Sequence, residues 1–124
     1  MRNAKIKPNI LLIEQDEGMR KLLEIILEKY HVIQVASILH GFSWIFNGNF
    51  PDVIILDVNT FDTSSVLFEG VKSNFFLKNV PMVLLIGEDD FNKIDYYYAW
   101  NIKATLTKPF APDQLQKALE VLFD

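Results

Sequence analysis

The chain of 124 residues contains no cysteine, which excludes disulfides and thiolate metal centres and fits a reducing compartment. No apolar run approaches the ~18 to 20 residues needed to cross a bilayer. The opening Met1-Arg2-Asn3-Ala4-Lys5-Ile6-Lys7-Pro8 lacks the apolar stretch of a signal peptide. A cytoplasmic protein without membrane attachment is therefore expected. Positive charge is also scarce: 12 Lys and Arg stand against 16 Asp and Glu, giving −4, and the cationic cluster Arg2, Lys5 and Lys7 is short. Neutralising phosphates needs a basic patch, so direct nucleic-acid binding is not expected. His31 and His40 stand apart from other metal-ligand residue types and do not suggest a metal site.

What the chain has is apolar mass. Half of the residues are hydrophobic and 13% are aromatic, which excludes disorder and leaves some apolar surface for a partner. The length fits one domain, expected over residues 9–124 after a flexible tail at 1–8. Along it, strand and helix patterns alternate. Ile10-Leu11-Leu12-Ile13 is a buried strand, and Met19, Leu22, Leu23, Ile26, Leu27 and Tyr30 then recur at helical spacing over about 16–30, capped by Asp16. His31–Val35 reads as a second strand and Ile38 to about Phe46 as a second helix, stopped by Asn47-Gly48-Asn49.

The run Pro51-Asp52-Val53-Ile54-Ile55-Leu56-Asp57 has no solvent face, so it belongs inside a parallel sheet covered on both sides. A helix is expected over about 65–76. A fourth strand follows at Val80–Ile86, and a helix opened by Glu88, Asp89 and Asp90 comes after it, where acid suits the macrodipole. Ile102–Thr107 is a fifth strand, and Pro112 begins a last helix with Leu115, Ala118, Leu119 and Leu122 on one face. Five strand–helix units with short connections predict an α/β fold: a doubly wound five-stranded parallel sheet of order 2-1-3-4-5 in a three-layer αβα sandwich. Ligands and chemistry gather at the carboxyl ends of such strands. Glu14, Asp57, Ile86 and Lys108 would share that rim.

Carboxylates and a lysine on one rim suit phosphoryl chemistry, with Asp57 as nucleophile and Lys108 pairing with a phosphoryl oxygen. At this point the chain resembles a response-regulator receiver domain of two-component signalling, with its flavodoxin-like, CheY-like fold, over its whole length. Asp57 falls on the phosphoacceptor position, and Lys108-Pro109-Phe110 matches the motif ending strand five. The resemblance implies a cis peptide bond after Lys108. It also implies a metal site of Glu14, Asp57 and the Asn59 carbonyl, with the Asn59 side chain looking onto the phosphoryl group. Mg²⁺ is the implied cofactor. The implied function is to accept a phosphoryl group on Asp57 from a histidine kinase or phosphotransfer protein. Output would go to a downstream protein, or to a homodimer, through the face of helix four, strand five and helix five. Such a domain is not an enzyme beyond self-catalysed phosphoryl transfer and hydrolysis at Asp57.

Several positions depart from the pattern. Gln15 replaces the acid that ligates the metal directly, and a neutral amide gives up about 4 kcal/mol of gross attraction at ~4 Å and an effective dielectric near 20. A weakened Mg²⁺ site follows, with Asp16 one residue too late to substitute directly. Ile86 stands at the position of the switch Ser or Thr, and Thr105 at that of the switch aromatic. Phe61 and Ser65 replace the usual proline and glycine. Tyr97 and Trp100, where small residues are usual, suggest a partner surface. A pseudo-receiver that docks without being phosphorylated is the alternative reading. An enzyme is disfavoured: Glu14-Gln15-Asp16-Glu17 has the wrong charge for a flavin phosphate loop, and Asp57-Val58-Asn59 is no Asp-x-Asp phosphatase motif.

Overall fold

The computed structural model describes residues 7–60, 79–97 and 100–123, with side chains outside 93–97. The expected helix at 65–76, Phe61 and Ser65 lie outside them. Five strands, β1 (Asn9–Ile13), β2 (His31–Val35), β3 (Val53–Asp57), β4 (Met82–Ile86) and β5 (Ile102–Thr107), form one parallel sheet of order β2-β1-β3-β4-β5. The expected order is thus the observed one. The three inner strands β1, β3 and β4 are the nearly all-apolar ones, as burial on both faces requires.

Strand side chains alternate between two cores. Leu11, Ile13, Ile54, Leu56, Met82, Leu84 and Ile86 pack with Ile38, Phe42 and Ile45 of helix α2 (Ile38–Phe46) on one face. Ile10, Leu12, Val53, Ile55, Val83 and Leu85 pack on the other with Leu23 and Ile26 of α1 (Glu17–Ile26) and Leu115 and Leu119 of α3 (Pro112–Phe123). Gly41 sets the fit of α2 on the sheet, because a Cβ there would come within 3.1 Å of Ile13 Cδ1.

Two helices differ from expectation. The first ends at Ile26 and not near residue 30: Leu27 leaves helical geometry, and Tyr30 turns inward to pack its ring 5.3 Å from Phe123. Residues Glu88–Tyr97 form a 3₁₀ helix where an ordinary helix was expected. Its three leading acids include Asp90, whose Oδ2 accepts the Gly87 N–H at 3.3 Å. Short polar residues that bond nearby backbone compete with the α-helical ladder.

Candidate functional site

The two-residue period of the strands decides which side chains meet. In β1, β3 and β5 the residues facing α1 and α3 are Ile10 and Leu12, Val53 and Ile55, and Ala104 and Leu106. One more step on the same face reaches Glu14, Asp57 and Lys108. Register brings them level, since Ile13 pairs with Leu56, Asp57 with Leu85, and Leu85 with Leu106. The peptide bond after Lys108 is cis, as the resemblance implies, and Lys108 N–H donates to the Ile86 carbonyl at 2.7 Å.

Asp57 is buried, and both of its oxygens are engaged. Lys108 Nζ lies 2.5 Å from Oδ2, and the Asn59 N–H donates to Oδ1 at 2.9 Å. Glu14 is 2% exposed; its Oε2 accepts a long 3.3 Å bond from the Asp16 N–H, and its Oε1 has no partner. Burial, then the adjoining Asp57 carboxylate, push Glu14 up to about 7 against the opposing Asp16 N–H and Lys108. The unpartnered Oε1 and the raised proton affinity have one cause: two carboxyl groups share a dry site with one ammonium. A proton on Glu14 supplies the missing donor.

Gln15 and Asp16 turn away from this centre. Gln15 is exposed, and its N–H donates to Thr60 Oγ1 at 3.0 Å. Asp16 Oδ2 accepts the Met19 N–H at 2.7 Å, so the carboxylate that could have replaced the missing acid caps α1. Sequence reasoning missed Arg20, whose Nη1 donates to the Glu14 carbonyl at 2.7 Å and the Gln15 carbonyl at 3.0 Å, and thereby pins the loop that carries Glu14. The available signal was a cation near a helix N-terminus, which the macrodipole disfavours unless carbonyl acceptors hold it.

Ile86 belongs to the opposite face, where it is fully buried in the core that contains Leu84, Met82 and Trp100. Thr105 is exposed on β5. Trp100 corrects an expectation: at 5% exposure it is a core residue, in one cluster with Met82, Leu84 and Ile86, and offers no partner surface. The side chain of Tyr97 lies outside the described residues.

Among the described residues no group of three or more His, Cys, Asp or Glu is placed to hold a metal ion. The oxygen donors of this rim are Glu14 Oε1, which is unpartnered, and the Asp57 carboxylate, with the Asn59 carbonyl as the one that the resemblance implies. This oxygen set fits a hard divalent cation that keeps several waters, one anionic ligand short of a tight site.

No protein-family model matches the chain, and no curated protein does. Solved structures do. The chain is similar to a signal receiver domain of two-component signal transduction from Clostridium thermocellum, with TM-score 0.79, 17% identity and coverage of 96% of this chain and 99% of that one. It is similar to the signal receiver domain of an HD domain-containing protein from Pseudomonas fluorescens, with TM-score 0.78, 19% identity and 94% coverage of each. A third structure, a response regulator receiver modulated diguanylate cyclase from Pelobacter carbinolicus, matches with TM-score 0.71, 28% identity and coverage of 94% and 92%. The chain has the CheY-like fold of response-regulator receiver domains.

Proposed function

We propose that this receiver fold serves two-component signalling in the cytoplasm, with Asp57 as the phosphoacceptor. The observation that carries the reading is the buried Asp57 carboxylate held between the Lys108 ammonium and the Asn59 N–H at the carboxyl end of β3. In the transfer an Asp57 oxygen bonds to phosphorus while the phosphorus–nitrogen bond of a phosphohistidine donor breaks and the imidazole leaves. Lys108 moves from the carboxylate to a phosphoryl oxygen, and the Asn59 N–H holds the second carboxylate oxygen in place. Glu14, Asp57 and the Asn59 carbonyl would hold Mg²⁺, which would supply positive charge against the phosphoryl oxygens.

The donor's docking place in this reading is beside the site. Met19, Leu22 and Ile26 of α1, with Lys108, Pro109, Phe110 and Pro112, line an apolar recess of about 400 Å³. Leu22 and Ile25 are exposed on the same helix. A helical phosphotransfer protein or kinase domain laying apolar side chains there would bring its histidine to Lys108 and Asp57. Downstream contact falls to the face of the 3₁₀ helix, β5 and α3, where Lys103 and Thr105 are exposed.

A specific observation favours a second reading. Glu14 prefers its proton near neutral pH, and Gln15 adds no charge, so the cation site can be too weak to support transfer. The chain would then be a pseudo-receiver that signals by docking alone. Incubation with acetyl phosphate and millimolar Mg²⁺, read by intact mass, separates the two. An adduct absent from Asp57→Ala is expected; no adduct and no beryllofluoride binding leaves the pseudo-receiver.

A further inference from the structure

Between Lys29 and Asp52 the sequence contains no Asp, Glu, Lys or Arg. This stretch builds the edge strand β2, helix α2 and the turn after it. The inner side of α2 is accounted for by Ile38, Gly41, Phe42 and Ile45, all buried on the sheet. The outer side carries no charged residue: beside the polar His40 and Ser43 it exposes large apolar side chains. Leu39 and Phe46 are 64% and 69% exposed at i and i+7, with exposed Ser43 at i+4 between them. Phe50, in the turn after α2, is 61% exposed. The ring of Phe46 sits 6.1 Å from that of the core residue Phe42, so the exposed ring is braced from beneath. Asn49 donates to the Trp44 carbonyl at 2.8 Å and ties down the turn carrying Phe50.

We infer that this uncharged face of α2 is a self-association surface, joining two copies of the chain about a two-fold axis. Charge decides the occupant. A helix that lies on a lipid surface needs Lys or Arg along its polar side, and none occurs from Lys29 to Asp52. Nucleic acid needs the same cations. The rest of the chain carries the net −4, so two copies repel through most approaches. Through α2 they meet without burying an ion on either side, and apolar stripe faces apolar stripe, as an isologous contact requires.

Area sets the strength. With roughly 150–250 Å² per aromatic side chain, Leu39, Phe46 and Phe50 together present on the order of 400 Å² per copy. That is about half of the ~800 Å² per partner of a standard interface. The association is therefore weak, with a dissociation constant in roughly the 10 µM to 1 mM range.

Sedimentation equilibrium on the full chain tests this over about the same concentration range. The wild type is expected to shift from monomer to dimer, while Phe46→Glu and Ser43→Arg each weaken the dimer by at least about tenfold, the cost of burying an unpaired charge. Ser43→Arg touches no buried residue, so its effect cannot be ascribed to unfolding of the core. Val121→Glu, at an exposed apolar position on α3, leaves the association unchanged. A wild type that stays monomeric throughout overturns the inference, and so does a dimer broken by Val121→Glu and spared by Ser43→Arg.

Discussion

The Lys108 ammonium lies 2.5 Å from Asp57 Oδ2, and the two partners are unequally buried: 22% of the lysine side chain is exposed and 3% of the aspartate. That asymmetry predicts unequal substitutions. Lys108→Met leaves a buried carboxylate facing Glu14 with one backbone N–H for company, which costs about 3 kcal/mol. Asp57→Asn releases Lys108 toward solvent, keeps an acceptor for the Asn59 N–H and removes the charge opposing Glu14, so it costs under about 1 kcal/mol or stabilises. Urea unfolding at pH 7 measures both. Equal losses would show that the pair is held as a surface ion pair and that the rim is wet.

Glu14 makes stability depend on pH in an unusual direction. Its folded proton affinity is raised to about 7 from 4.5, so the folded state binds the proton more tightly than the unfolded chain. The stabilisation is complete below about pH 4.5 and is lost as pH rises through about 7. Between pH 5 and pH 8 this removes on the order of 2 kcal/mol, allowing for solvent at the rim. A falling melting temperature over that interval is expected for the wild type, and a flatter one for Glu14→Gln. If both proteins show the same slope, another group carries the titration.

The proposed Mg²⁺ site is expected to improve with one substitution. Gln15→Asp adds an anionic oxygen to the loop that Arg20 pins, and should tighten Mg²⁺ by at least about tenfold. Asp16→Ala should leave Mg²⁺ affinity unchanged while costing about 1 kcal/mol, because its carboxylate caps α1 through the Met19 N–H. Isothermal titration with Mg²⁺ at pH 8, where Glu14 has lost its proton, reads both. Loss of Mg²⁺ binding in Asp16→Ala would mean that the cap opens and the carboxylate turns to the metal.

Much of the fold was legible because the inner strands have no polar side. Ile10–Ile13, Val53–Leu56 and Met82–Ile86 admit no orientation except burial on both faces, and short connections then fix the parallel order. Glu14 and Asp57 were legible for the same reason, since each follows or ends such a strand, whereas Lys108 follows the half-exposed edge strand β5 and was legible from the Lys108-Pro109-Phe110 motif. What the sequence could not show were choices between competing hydrogen bonds. Asp16 could serve a metal or a cap, and cap geometry decides. Trp100 could face a partner or the core, and it joins the core of Met82, Leu84 and Ile86. The end of α1 was overrun because Leu27 and Tyr30 continue the apolar period beyond the point where the backbone leaves the helix. Arg20 was overlooked because its partners are main-chain carbonyls, which leave no trace in residue type.

Ile86 and Trp100 share one core on the face of the sheet opposite Asp57, with no hydroxyl at residue 86 to follow a phosphoryl group. A ligand shifts a conformational equilibrium only through differential contacts with its two states, and Ile86 offers it none. Occupation of Asp57 should therefore leave the surroundings of Trp100 unchanged. In Trp44→Phe, which isolates the Trp100 signal, the emission maximum is expected to stay blue-shifted and constant on adding beryllofluoride and Mg²⁺. Binding itself must be shown separately, by fluorine resonances of the bound anion. Trp100→Ala should cost about 3–5 kcal/mol, as truncation of a buried ring does. An emission shift on binding would instead mean that the turn before β5 moves with the site and carries the output in place of Thr105.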